Sequence, residues 1–119
     1  MYSVGIDLVE IRKIEKGCAN PRFVERVYSK AEQELFLTDK PRYDSLAGNW
    51  AVKEAFSKAL GTGVVNSSLN EVEWLRNEFG APYLRLKGRA AEAAGELTFS
   101  VSITHTKELA QAICIAYKP

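Results

Sequence analysis

The stretch from Asp44 to Leu60 predicts one long helix, and this helix limits the folds open to the chain. At 100° per residue, apolar side chains cover an arc of about 180° of its surface. They are Ala51, Val52, Ala55, Phe56, Ala59 and Leu60. The remaining side carries Lys53, Glu54, Ser57 and Lys58. Gly61-Thr62-Gly63 should end the helix, because glycine readily adopts the left-handed conformation found there.

The other segments predict short helices and a sheet. Apolar patterns typical of strands occur over residues 4–9, 71–75, 82–86, 99–105 and 110–117. Short helices are expected over residues 11–16, after Ser29 to about Leu37, and over 89–96, with a turn at Asn20-Pro21. The closely spaced strands at 71–75 and 82–86 predict a hairpin. We therefore expect an α+β fold, a mostly antiparallel sheet packed against one long helix and several short ones, in a single domain over residues 1–119.

Composition excludes several functional classes. The 119 residues carry a net charge of +1, and a nucleic-acid-binding domain would usually be more basic. One histidine and two cysteines rule out a multi-histidine metal site and a disulfide framework. The chain has no apolar run long enough to span a membrane and no secretory signal pattern. These features predict a cytoplasmic protein with free thiols and neither a membrane nor a nucleic-acid partner.

Positive charge is nevertheless concentrated in one region. Residues 11–30 contain six basic and two acidic side chains, a net of +4. Such a stretch can be an ordinary solvated helix surface. It can also be a docking surface for an acidic partner.

Two carboxylates are candidates for a metal site. Asp7 lies in the middle of a predicted strand among apolar residues, where an unpaired carboxylate is costly. Glu54 lies on the polar side of the long helix. Two carboxylates, together with water and phosphate oxygens, suit Mg²⁺. The alternative is structural: Asp7 would cap a backbone group, and Glu54 would pair with Lys58.

Lys58 and His105 are candidates for contacts with phosphate. A lysine one helical turn from a metal-binding glutamate can neutralise phosphate charge or protonate a leaving oxygen. The alternative for Lys58 is a surface ion pair that contributes little. His105 follows Ser102 and Thr104, whose hydroxyls suit phosphate contacts, but a histidine at a strand end is often structural. The Gly61–Gly63 segment can offer backbone N–H groups to a phosphate or simply cap the helix.

Four segments in this order resemble one enzyme family. They are Gly5–Ile11, Phe23–Glu32, Leu46–Gly63 and Val101–His105. Together they are similar to the holo-acyl carrier protein synthases, which are small bacterial 4′-phosphopantetheinyl transferases. The most specific part is Lys53–Gly63. Asn49 and Trp50 depart from the family pattern, which commonly has Arg and Phe there.

The resemblance implies a reaction and a set of site residues. The family transfers 4′-phosphopantetheine from coenzyme A to a serine of apo-acyl carrier protein, uses Mg²⁺ and releases adenosine 3′,5′-bisphosphate. By position, Asp7 and Glu54 match the metal-binding carboxylates, and they form the catalytic set with Lys58. The positions that match coenzyme A contacts are Lys58, Arg42, Gly61, Pro82, Thr104 and His105.

The resemblance also implies partners. Lys13, Arg22, Phe23 and Arg26 match the family's docking surface for the acidic carrier protein. Family members of this size are homotrimers with sites at subunit interfaces. Asp7, Glu54 and Lys58 would then come from one subunit, and Pro82, Thr104 and His105 from the next. Two alternatives remain open: a transferase for polyketide or peptide-synthesis carriers, and a non-catalytic module that binds carrier protein or coenzyme A.

Overall fold

A computed structural model describes residues 2–61 and 69–119 of the chain. Most of the predicted elements are present, with boundaries shifted by at most two residues. In chain order they are β1 (Tyr2–Glu10), α1 (Ile11–Gly17), α2 (Pro21–Val27), α3 (Lys30–Phe36), α4 (Tyr43–Leu60), a 3₁₀ turn (Leu69–Glu71), β2 (Val72–Arg76), β3 (Pro82–Leu86), α5 (Gly88–Ala94), β4 (Thr98–His105) and β5 (Leu109–Tyr117). The predicted α+β class with antiparallel pairing is confirmed.

Two antiparallel sheets flank the long helix. One has three strands in the order β1-β5-β4, and the other is the β2-β3 hairpin. In the larger sheet, Asp7 lies opposite Ala112 of β5, which in turn lies opposite Ile103 of β4. The alternating residues of β5 that face α4 are small and buried: Ala110, Ala112, Cys114 and Ala116. Small side chains there allow the helix to lie close to the sheet.

The contact between β1 and α4 depends on a glycine. A Cβ atom at Gly5 would overlap the carbonyl oxygen of Ala55, so only glycine fits at this crossing without a shift of the backbone. The Ser3 hydroxyl also donates a hydrogen bond to the carbonyl oxygen of Ala59. This close approach places Asp7, two residues after Gly5, beside the last two turns of α4.

The structure decides which face of β1 is internal. Asp7 and Gly5 belong to the face against α4, whereas the apolar side chains that alternate with them along the strand face outward. Their exposed fractions are 78% for Tyr2, 60% for Val4, 51% for Ile6 and 58% for Leu8. The apolar alternation of this strand therefore forms an exposed sheet surface instead of the core.

Two predictions about the helices are wrong. The Asn20-Pro21 turn is the start of α2, since the Asn20 side chain accepts a hydrogen bond from the N–H of Arg22 and caps that helix. On α4, Lys53 and Ser57 do not belong to an exposed polar side, because both are buried. The hairpin and α3 cover this side of α4, and polar partners supplied by them allow a lysine to be buried there. The capping box of Ser29 and Glu32 is confirmed.

Candidate active site

Asp7 and Lys58 form an ion pair where β1 meets the end of α4. Lys58 Nζ lies 3.3 Å from Asp7 Oδ1 and donates a hydrogen bond to the carbonyl oxygen of Ile6 at 3.0 Å. The other oxygen of Asp7, Oδ2, is buried and has no hydrogen-bond partner among the described residues. Burial raises the pKa of Asp7, although the nearby Lys58 opposes this shift.

Glu54 completes this cluster one helical turn before Lys58. Burial raises the pKa of Glu54, and the negative charge of Asp7 raises it further, whereas Lys58 lowers it. The ion pair in the structure joins Lys58 to Asp7, so the alternative in which Glu54 pairs with Lys58 is not the observed arrangement. The site therefore contains two carboxylates, of which Asp7 disfavours the ionisation of Glu54, and one partly exposed cation.

This donor set fits a divalent cation. An unpartnered, buried carboxylate oxygen and two mutually repelling carboxylates are both stabilised when a cation binds between them. The described residues contain no group of three or more His, Cys, Asp or Glu side chains arranged to hold a metal. A hard ion that keeps several water or phosphate ligands is consistent with a site of only two carboxylates.

A second group of predicted residues surrounds a cavity of about 400 Å³. Arg42, Pro82 and His105 all line it, so the structure brings together three of the predicted coenzyme A contacts. Asp44 and Ser45 at the start of α4 form one wall, and the β2-β3 hairpin forms another. The Nε atom of the exposed Arg42 side chain lies 3.9 Å from Asp44 Oδ1, so Asp44 neutralises its positive charge only weakly.

Two other predicted contacts lie outside this cavity. Thr104 lies in a shallow cleft with Leu8 and Gln111, on the exposed apolar side of the larger sheet. Gly61 adopts the left-handed conformation, with a φ of 72°, and its N–H donates to the carbonyl oxygens of Ser57 and Lys58. Gly61 is thus the predicted helix cap. Thr62 and Gly63 lie outside the described residues.

Helix α4 separates the two groups within one chain. The cavity takes Asp44 and Gly48 from the first half of α4, whereas Glu54 and Lys58 of the carboxylate cluster lie in its second half. Gly48 and Glu54 are six residues apart, which is about 9 Å along a helix axis. A single ligand that contacts both the carboxylate cluster and the cavity has to span this separation.

The basic region forms an exposed surface on α1 and α2. Lys13, Arg22 and Arg26 are exposed, as the docking hypothesis requires. Phe23 is half-buried: its ring stacks on Trp50 with centroids 5.8 Å apart and also contacts Gly17. Phe23 therefore attaches α2 to the long helix and leaves part of its ring exposed.

A family model now identifies the chain. The model for the 4′-phosphopantetheinyl transferase superfamily matches residues 3–114. The chain belongs to this superfamily. Among curated relatives, the holo-[acyl-carrier-protein] synthase of Lachnoclostridium phytofermentans is 40% identical, with 97% of this chain and 94% of that protein covered. The enzyme of the same name from Caldanaerobacter subterraneus is 37% identical over 95% of this chain and 92% of its own length.

Solved structures of the superfamily share the whole fold. A complex of the Chronobacterium ammoniagenes enzyme with coenzyme A has a TM-score of 0.84 at 30% identity and covers 100% of this chain and 98% of that one. The Helicobacter pylori holo-[acyl-carrier-protein] synthase, also with coenzyme A, has a TM-score of 0.77 at 31% identity and covers 96% of this chain and 99% of its own. The predicted family resemblance is confirmed. The roles of individual residues in this member stay predictions.

The structure also bears on the expected lack of a membrane-spanning segment and on the expected free thiols. Within residues 2–61 and 69–119, none of the helices combines the length and apolar character needed to cross a membrane. Cys18 and Cys114 are both free, as predicted.

Some site residues were not found from the sequence. Trp74 and Arg76 of β2 line the cavity, yet neither belongs to a motif that indicates ligand contact. Their position depends on how the hairpin packs against α3 and α4, which are distant in sequence.

Proposed function

We propose that this transferase moves 4′-phosphopantetheine from coenzyme A to a serine of an apo-acyl carrier protein, releasing adenosine 3′,5′-bisphosphate. The observation that carries the proposal is the pairing of the Asp7–Glu54–Lys58 cluster with a cavity bearing Arg42 and His105 in a fold shared with coenzyme A complexes. A metal-carboxylate cluster and a separate cationic pocket are what a pyrophosphate joined to a phosphorylated nucleoside requires.

Each residue of the cluster has a role in this reaction. Asp7 and Glu54 would hold Mg²⁺, whose charge offsets that of the pyrophosphate when it is bound. Lys58, which is exposed and already directed to this site by Asp7 and the Ile6 carbonyl, neutralises the departing phosphate oxygen or protonates it. In a second role, the half-buried Glu54 carboxylate would accept the serine proton.

The cavity is the proposed site for the nucleotide part of coenzyme A. Arg42 supplies a positive charge that can form paired hydrogen bonds with a phosphate. His105 and Pro82 also line the cavity and offer ring surfaces to a nucleoside. Thr104 would reach the ligand from the other face of β4, and Gly61 would contact it through its backbone.

A homotrimer with sites shared between subunits resolves the separation along α4. In our proposal Asp7, Glu54 and Lys58 of one subunit meet Pro82, Thr104 and His105 of the next. The exposed side chains of Tyr2, Val4, Ile6 and Leu8 support this arrangement, because so continuous an apolar strip on a sheet is typical of a protein interface. Thr104 borders that strip, beside Leu8.

The carrier protein is proposed to dock on α1 and α2. Arg26→Glu should raise the KM for the carrier about tenfold with little change in kcat, because it replaces an attractive charge by a repulsive one. Steady-state assays at several salt concentrations measure this, and the wild-type KM should rise with salt. Arg89→Glu is the matched control, since Arg89 is an exposed cation on α5. An equal effect of both substitutions would contradict docking on α2.

The free thiols of Cys18 and Cys114 support action in the cytoplasm, where thiols stay reduced.

Two kinds of carrier protein are possible substrates, one from fatty-acid synthesis and one from polyketide or peptide synthesis. We propose the fatty-acid carrier, because the relatives are named as synthases of the holo-acyl carrier protein and a chain of only 119 residues favours this class.

The direct test is to incubate the purified protein with an apo-acyl carrier protein, coenzyme A and Mg²⁺ and to weigh the intact carrier by mass spectrometry. We expect the mass of one phosphopantetheine to be added, and EDTA to prevent the addition. A carrier whose acceptor serine is changed to alanine is the control. A peptide-synthesis carrier is assayed in parallel for substrate preference. Binding of coenzyme A without any mass gain on either carrier would instead indicate a non-catalytic binding module.

A further inference from the structure

One edge of β2 is held by helix side chains instead of a neighbouring strand. The N–H of Lys87 donates to the carbonyl oxygen of Glu71, and alternation along the antiparallel hairpin then directs the backbone groups of Val72 and Trp74 away from β3. A strand edge of this kind needs other hydrogen-bond partners when it is buried. Both Val72 and Trp74 are buried.

Three fully buried side chains supply those partners. Glu32 Oε2 of α3 accepts the N–H of Trp74 at 2.9 Å. From α4, Asn49 Nδ2 donates to the carbonyl oxygen of Trp74 at 3.2 Å, and Lys53 Nζ donates to that of Val72. We call Glu32, Asn49 and Lys53 the edge clamp.

The clamp is internally connected. Lys53 Nζ lies 2.8 and 2.9 Å from the two oxygens of Glu32, and it also donates to the carbonyl oxygen of Leu69 at 3.0 Å. The N–H of Ser29 donates to Glu32 Oε1 at 2.9 Å. A fully buried ion pair generally adds little stability over an apolar pair of equal volume. What it does impose is a defined geometry, because each charge needs its partners in place.

The clamp joins the same elements that form the cavity. The β2-β3 hairpin contributes Trp74, Arg76 and Pro82 to the cavity wall, α3 contributes Phe36, and α4 contributes Gly48. Trp74 is held at both of its backbone polar groups and is itself a lining residue. The spacing between the hairpin and α4 therefore contributes to the width of the cavity, which β4 lines as well.

We propose that Glu32, Asn49 and Lys53 are positioning residues that fix the hairpin wall and so determine the affinity for the nucleotide part of coenzyme A. This inference rests on the proposed function. The three residues act through Trp74, Arg76 and Pro82 and do not themselves line the cavity.

Asn49→Leu tests the proposal while leaving the ion pair intact. Leucine has the same number of side-chain heavy atoms as asparagine, but it leaves the buried carbonyl oxygen of Trp74 without a donor, so the strand should shift. We expect the KM for coenzyme A to rise about tenfold, with kcat and the KM for the carrier protein near the wild-type values. Ser57→Ala is the matched control, because Ser57 is buried on the same helix and its hydroxyl bonds to the helix backbone at Lys53.

A second measurement is independent of transfer. In a Trp50→Phe background Trp74 is the sole tryptophan, since the chain has two. Its quenching by acrylamide reports exposure of the wall, and titration with adenosine 3′,5′-bisphosphate reports affinity. Asn49→Leu should increase quenching and weaken binding about tenfold. If the leucine variant does not fold, Asn49→Ala removes the same donor and needs no additional space.

Three results would overturn the proposal. One is an unchanged KM for coenzyme A together with unchanged quenching. Another is a lower melting temperature with unchanged bisphosphate affinity, which would make the clamp merely structural. The third is the absence of bisphosphate binding by the unsubstituted protein. The mass-spectrometric transfer assay tests the proposed function separately. Failure of the proposed function can therefore be distinguished from failure of the positioning proposal.

Discussion

Replacing Glu54 with glutamine should reduce phosphopantetheine transfer about a thousandfold, since a neutral amide removes half of the charge that holds the cation at the reacting phosphate. The geometry makes this the largest single-residue effect that we expect. Burial and the charge of Asp7 raise the pKa of Glu54, and Lys58 is already paired with Asp7. Loss of Glu54 therefore leaves one carboxylate whose charge is largely balanced before any metal arrives.

The measurements are kcat for transfer and Mg²⁺ binding by calorimetry in the presence of coenzyme A. Glu34→Gln is the matched control, because it removes an exposed carboxylate from α3. Full activity of the Glu54→Gln protein would remove Glu54 from the site. If the Glu54→Gln protein bound Mg²⁺ weakly but transferred at the wild-type rate, the carboxylates would have no role in catalysis.

The same pair of carboxylates predicts how pH affects stability. The pKa values of Asp7 and Glu54 are raised in the folded protein, so the folded state retains protons that the unfolded state has lost. Without metal, stability contributed by these groups should decrease as the pH rises from the ordinary carboxyl pKa through the raised values. Because the ionised pair binds a cation, the rise in melting temperature caused by Mg²⁺ should be larger at neutral than at acidic pH.

Mixing two inactive proteins should restore activity if the site is shared between subunits. Asp7→Ala removes a residue from one half of the proposed site, and His105→Ala removes a residue from the other half. After subunits exchange at a one-to-one ratio, about a quarter of the sites should be complete, because both contributors must come from the suitable protein. The activity of the exchanged mixture, relative to wild type at the same site concentration, measures this.

The control for mixing uses two substitutions from the same half of the site. Asp7→Ala mixed with Lys58→Ala should stay inactive, since every site would still lack one of the two residues. Sedimentation analysis of the separate proteins establishes that each is trimeric before exchange. A mixture of Asp7→Ala and His105→Ala that exchanges subunits but gains no activity would contradict sharing and require each chain to use its own cluster and cavity.

Local sequence predicted most of the fold because the relevant signals are short-range. Ser29 and Glu32 mark a capping box within four residues, and Gly61 ends α4 through its own backbone conformation. The strand alternation of residues 99–105 also depends on neighbours in sequence. By contrast, α2 was missed because Asn20-Pro21 is compatible both with a turn and with a capped helix start.

The candidate site could be predicted only in part. Asp7, Glu54 and Lys58 were grouped by their residue types and by the family resemblance, and the structure places them together. The cavity was less predictable, since Trp74 and Arg76 reach it through packing between the hairpin and α4. Thr104 does not line that cavity; it lies in a separate cleft on the exposed apolar side of the sheet, which His105 also borders.

By itself the sequence determined the family, the order of the elements and the residues able to do chemistry, because these are properties of residue type and spacing. Only the tertiary structure decided which polar groups are buried. Lys53 lies on the side of α4 that helical periodicity assigns to solvent, yet Glu32, Leu69 and Val72 surround its ammonium group. The same holds for β1, whose apolar alternation faces outward while Asp7 faces the helix. The physical reason is that burial depends on partners brought from distant parts of the chain, which no local pattern contains.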